Sequence, residues 1–150
     1  LNKVIQTYRS HTPDISLKPD VVNILIKLRQ FHKLGLITDG NKKVQTNKVG
    51  ALNLDRYLDF IIITHNYGIK NAKPSEYTFN KMMCVLGEAK RNIYIGDNPY
   101  KDFIGAKKAN YLTIRLNQGK YKGLFLNYEH SAHLVFNNLS QVYSWIKENE

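Results

Sequence analysis

Two aspartates, Asp97 and Asp102, stand five apart in the stretch YIGDNPYKDF. Asp97 closes an apolar run, and Asp102 falls about one turn into the helix expected next. A pair of carboxylates in that arrangement makes a hard oxygen site suited to Mg²⁺. Taken alone, Asp97 is equally a turn or cap residue, and Asp102 a first-turn carboxylate that complements the helix dipole. Lys73 sits before Pro74 in NAKPSEYTF. Such a lysine is either a solvated loop residue or, beside a metal site, a holder of phosphate. Thr38 ends the apolar run of LGLITDG. Its hydroxyl can cap the following helix, or join neighbouring backbone N–H groups in holding a phosphoryl oxygen.

These residues need a scaffold that brings them together. The chain alternates helix and strand. Pro13 and Pro19 bracket a linker, and Pro19 opens a helix whose face carries Val21, Leu25 and Leu28, widened by Val22 and Ile24. KLGLIT reads as a buried strand, and NKKVQTNKVGAL as a helix turning Val44, Val49 and Leu52 inward. DFIIIT is a β-branched strand. PSEYTFNKMMCVLG is a helix opened by Pro74 and closed by Gly87. NIYIGD, YKDFIGAKKAN, YLTIRL, AHLVF and LSQVYSWIKEN follow as strand, helix, strand, strand and helix. In the last helix Leu139, Val142, Trp145 and Ile146 share an apolar face. Near-continuous apolar strands alternating with helices argue an α/β three-layer sandwich around a mostly parallel, Rossmann-like sheet. In such sheets ligands gather at the strand carboxyl ends, where Thr38, Asp39 and Asp97 fall.

Composition narrows the classes. A length of 150 residues with 43% hydrophobic content suits one domain with a substantial core. No apolar run approaches a membrane span, and no signal peptide is visible. The single cysteine, Cys84, excludes an internal disulfide and fits a reducing, cytoplasmic compartment. Its setting in MMCVLG suggests a buried thiol. The formal charge of +10 raises the possibility of nucleic acid. The lysines are scattered and form no basic helix, so a solvated surface is the better reading.

In this order and at these spacings, LGLITDG, the KP lysine and GDNPYKD resemble the second, third and fourth motifs of the haloacid dehalogenase-like (HAD) hydrolase superfamily. The resemblance runs from about Pro13 to the last strand. It implies a Rossmann-like core that transfers phosphoryl groups through an aspartyl-phosphate. Thr38, with Asp39 and Gly40, would hold the phosphoryl group, and Lys73 would neutralise its charge. Asp97 would ligate Mg²⁺ directly or through water, and Asp102 would support the metal or its waters. The paired acids favour a Mg²⁺-dependent phosphatase over the halide-removing members. The implied substrate is a small phosphorylated metabolite.

The superfamily's first motif, a strand ending in Asp-x-Asp, supplies the nucleophile. None of the seven aspartates here (Asp14, Asp20, Asp39, Asp55, Asp59, Asp97 and Asp102) lies in such a pair. The expectation is that residues 1–12 are the residual end of a helical cap and 13–150 the core of a longer protein. The nucleophile would then come from a covalently linked upstream segment. The alternatives are a strand supplied by another chain and an inactive binding domain on the same fold. A second resemblance, to phosphatase-like domains encoded near or fused to ATP-grasp ligases, bears on the latter. A response-regulator receiver is disfavoured because the acids follow the lysine.

Overall fold

A computed structural model describes residues 11–149 except 88. The expected helical tail at the start of the chain lies outside the described residues. The rest divides between Ala72 and Lys73 into two compact units.

In the first unit the linker leads into α1 (Pro19–Arg29). Pro19 opens it, where a missing N–H costs nothing. Its buried stripe is Ile24 and Leu28, one turn apart; Leu25 is only half-buried. The strand β1 (Gly35–Thr38) pairs in parallel with β2 (Phe60–Ile63), Thr38 opposite Ile63. Between them runs α2 (Lys42–Ala51), capped by the Asn41 side chain, which accepts from the N–H groups of Lys43 and Val44. No residue of α2 is fully buried, so Val44 and Val49 make only the partial contact with the core that their wide spacing allows. Ile37, Ile62 and Ile63 are the buried apolar residues of the sheet.

The second unit holds α3 (Tyr77–Leu86), β3 (Ile93–Gly96), α4 (Phe103–Lys108), β4 (Leu112–Leu116), β5 (Leu134–Phe136) and α5 (Leu139–Glu148). The strands form a parallel sheet in the order β3-β4-β5. Its core includes Phe79, Phe103, Ile114 and Val142, all at or near zero exposure. The α/β class with parallel strands is as expected.

Three local expectations change. Helix α3 starts at Tyr77, not at Pro74. The intervening backbone instead packs on α4, where a Cβ on Gly105 would meet Pro74 O at 2.3 Å. Cys84 is exposed. Helical spacing turns Phe79 and Met82 inward and carries Cys84 and Val85 to the opposite face. In α5, Val142 and Ile146 are buried while Trp145 is half-exposed, its ring 6.4 Å from that of Phe136. No helix among the described residues is long and apolar enough to cross a membrane.

Candidate active site

At the carboxyl end of β1 the chain turns sharply through Asp39 and Gly40, where φ is +131°. Glycine adopts that value without the clash a side chain would meet. The Thr38 hydroxyl donates to Gln45 Oε1 at 2.8 Å, reaching the first turn of α2. Gln45 also lies over Gly40, 2.8 Å from where a Cβ would stand. Thr38 is therefore not the cap of α2; Asn41 is. Asp39 Oδ1 accepts from the hydroxyl of Thr64, a fully buried residue just past β2. Thr38, Asp39 and Gly40 thus form one ordered strand-end turn, braced by Gln45 and Thr64.

The second unit carries a denser cluster. Lys73 Nζ donates to Asp102 Oδ1 at 2.7 Å, and both side chains are buried. Lys73 also donates to the Tyr94 hydroxyl at 2.9 Å, and that hydroxyl donates onward to Asp102 Oδ1 at 3.3 Å. The other carboxylate oxygen, Oδ2, accepts from the backbone N–H groups of Asp97, at 3.1 Å, and Asn98, at 2.8 Å. Both oxygens of Asp102 are satisfied by four donors, as a buried charge requires. Asp102 occupies the cap position of α4 yet makes no cap bond. Its side chain turns back toward β3. Gly96 makes room for it, since a Cβ there would stand 2.6 Å from Asp102 Oδ2.

The consequence is a division of labour between the two acids. Asp102 fixes the shape of the loop after β3, and Asp97, the first residue of that loop, is exposed. The Asn98 side chain accepts from the Tyr100 N–H at 3.0 Å, and Pro99 is fully buried, so the loop is locked on its other side too. Asp97 offers a hard oxygen donor of the type Mg²⁺ takes. Asp102, its oxygens taken up by four donors, would bear on such an ion only through the loop it holds. No group of three or more His, Cys, Asp or Glu able to hold a metal occurs among the described residues. The Asp97 carboxylate alone would thus supply one ligand of a Mg²⁺ shell.

Thr38, Asp39 and Gly40 thus gather in the first unit, and Lys73, Asp97 and Asp102 in the second. Tyr94, Gln45 and Thr64 went unnoticed in the sequence. For Tyr94 the signal was a hydroxyl inside the otherwise apolar strand NIYIG. A cavity of about 550 Å³ lies at the amino ends of β3, β4 and β5, lined in part by Lys90, Asn92, His133 and Trp145. It is at the opposite edge of that sheet from Asp97 and takes no part in this cluster.

The model of a family described as haloacid dehalogenase-like hydrolase matches residues 1–116. A glyceraldehyde 3-phosphate phosphatase of Pyrococcus furiosus is 32% identical over 126 residues, covering 83% of this chain and 52% of that protein. A 2-haloacid dehalogenase of Pseudomonas syringae superposes with a TM-score of 0.72 at 26% identity, covering 89% of this chain and 54% of that one. The HAD-hydrolase YfnB of Bacillus subtilis, bound to magnesium, superposes with a TM-score of 0.73 at 19% identity, covering 87% and 56%. The chain spans about half the length of the curated relatives it matches. With the strand-end threonine, the KP lysine and the GDNPYKD loop all built as described, the chain belongs to the haloacid dehalogenase-like hydrolase family.

Proposed function

We propose that this chain is part of a Mg²⁺-dependent phosphomonoester hydrolase that works through an aspartyl-phosphate, its nucleophile lying outside these 150 residues. The observation that carries the reading is the buried Lys73–Asp102 pair, with Asp97 left exposed at the start of the loop that Asp102 shapes. A fixed ammonium next to a hard carboxylate suits a transferring phosphoryl group, whose equatorial oxygens gather charge. Thr38, with the backbone of Asp39 and Gly40, would bind a phosphoryl oxygen. Mg²⁺, when bound at Asp97, would neutralise phosphoryl charge.

In the first step the upstream carboxylate bonds to phosphorus, the ester P–O bond breaks and the alcohol departs with a proton from the second aspartate of the Asp-x-Asp pair, which regains one from the water of the next step. In the second, water attacks phosphorus and releases inorganic phosphate and the free carboxylate. Among the described residues β1 pairs with β2 alone and β3 with β4 alone. These open edges support a further strand in the whole protein. The phosphatase and nucleotidase names of the relatives support a small phosphorylated metabolite as substrate.

The test is hydrolysis of an aryl phosphate with Mg²⁺ by this chain, by a chain extended through an upstream Asp-x-Asp strand, and by Asp97→Ala in the extended chain. Turnover is expected only in the extended chain and is lost in Asp97→Ala. Turnover by the 150 residues alone that needs Asp97 would overturn the external nucleophile. An extended, folded chain inert to a broad panel of phosphate esters would favour the alternative, a non-catalytic binding domain of the kind appended to an ATP-grasp-type ligase.

A further inference from the structure

Arg115 is a buried cation, 3% exposed, with which no carboxylate pairs among the described residues. Its guanidinium donates to the carbonyl oxygens of Leu124 and Tyr121 and lies 5.5 Å from the centre of the Phe125 ring. Its Nε has no hydrogen-bond partner. A buried, incompletely satisfied charge is costly and calls for an explanation. The loop it grips is tightly made. Gly123 N–H donates to Asn117 Oδ1 at 2.8 Å, and Leu124 N–H to Tyr121 O at 3.1 Å. Gly119 and Gly123 take left-handed conformations at the two turns, at φ +66° and +73°.

The position of this loop gives it a use. Arg115 is the register partner of Gly96 in the parallel β3–β4 pair. The loop after β4 therefore leaves the sheet at the same edge as Asp97. Its Tyr121 ring meets the exposed ring of Tyr100 edge-on at 6.2 Å, and Tyr100 belongs to the Asp97 loop. Lys120, exposed, holds its ammonium 5.5 Å over the Tyr121 ring. Residues 117–125 thus place the Tyr121 ring, against Tyr100, and a cation beside the carboxylate edge, on a rigid base.

We propose that residues 117–125 are the specificity wall of this site. Tyr121 and Lys120 bind the leaving group of an acidic phosphate ester, one carrying its own carboxylate or second phosphate, and Arg115 is the positioning residue that holds them. The wall rests on the phosphatase reading, which names the phosphoryl group but leaves its leaving group open. Lys120 swings from the Tyr121 ring to the acidic group. The unshared positive charge of Arg115 adds to the attraction for anions at that edge.

The experiment compares equilibrium binding of methylphosphonate and phosphonoacetate to the full-length polypeptide by calorimetry. Phosphonoacetate is expected to bind about tenfold more tightly, the worth of one charge-assisted contact. Lys120→Met and Tyr121→Ala alter exposed or half-exposed side chains, so folding is retained. Each should erase most of the preference, weakening phosphonoacetate binding far more than methylphosphonate binding. Arg115→Lys, which keeps the charge but not the two-carbonyl clamp, should reduce it as well. Equal binding of the two phosphonates, or a preference unchanged in Lys120→Met and Tyr121→Ala, overturns the proposal. Binding with the expected preference in a protein that hydrolyses no phosphate ester would instead sink the phosphatase reading and leave the wall standing.

Discussion

The Asp102 carboxylate occupies the space a side chain on Gly96 would fill. A Cβ at Gly96 would stand 2.6 Å from Asp102 Oδ2 and 2.9 Å from Asp102 Cβ. The glycine of the IGD stretch is thus set by its neighbour, not by an unusual backbone angle. Asp102 cannot swing away, because four donors hold it. Gly96→Ala should therefore destabilise by about 1–3 kcal/mol, as overpacking of an unyielding site does. Chemical denaturation measures it. A change within about 0.5 kcal/mol, the range of a neutral surface substitution, would show that the loop relaxes around the methyl.

Lys73 and Asp102 depend on each other. Lys73→Met would leave a buried carboxylate without its cation, and Asp102→Asn a buried ammonium without its anion. Loss of one partner of such a pair costs about 3–5 kcal/mol. The double variant Lys73→Met/Asp102→Asn should lose less than the sum of the two, since neither charge remains. Urea unfolding of the four proteins gives the coupling directly. Strict additivity would mean that the backbone donors of Asp97 and Asn98 and the Tyr94 hydroxyl carry Asp102 unaided.

Much of this arrangement was legible in the sequence. The apolar runs ending at Thr38 and Gly96 are strands because β-branched and aromatic residues crowd them, and the acids and hydroxyls at their ends follow. What was not legible depends on approach in space. Gly105 looks like a weak helix residue, yet α4 packs so closely on the Pro74 backbone that no larger residue fits. Arg115 sits in an apolar strand with nothing nearby in sequence to announce the carbonyls it grips. Cys84 is exposed despite its apolar surroundings in sequence, because an apolar run says nothing of which helical face turns inward.

The last helix separates apolar from buried. Trp145 falls on the apolar stripe of α5 but is half-exposed, whereas Ile146 is 8% exposed. Ile146→Ala should cost about 2–5 kcal/mol, the range for a truncated core aliphatic. Trp145→Ala should cost less despite removing the larger side chain. Thermal unfolding of both variants checks the order. A greater loss at Trp145 would show that its contact with Phe136 carries more than its exposure implies.

Tyr111 ties stability to alkaline pH. Its phenol is pushed from 10.0 up to about 12, first by burial and then by the charge of the Cys84 thiolate. The hydroxyl donates to Phe79 O at 3.0 Å, so the folded state holds the protonated form. Unfolding frees the group to ionise near its ordinary value. The stabilisation is therefore complete below about pH 10 and is lost as pH rises through 12. Tyr111→Phe removes the titrating group together with the hydrogen bond, at a net cost of about 1 kcal/mol near neutral pH. The gap between native protein and variant should shrink and then reverse as pH climbs from 10 toward 12, because only the native protein loses this contribution. Denaturation of both proteins at several pH values across that window reads the gap. A gap that stays constant would show that the Tyr111 phenol ionises as readily in the folded chain as in the unfolded one.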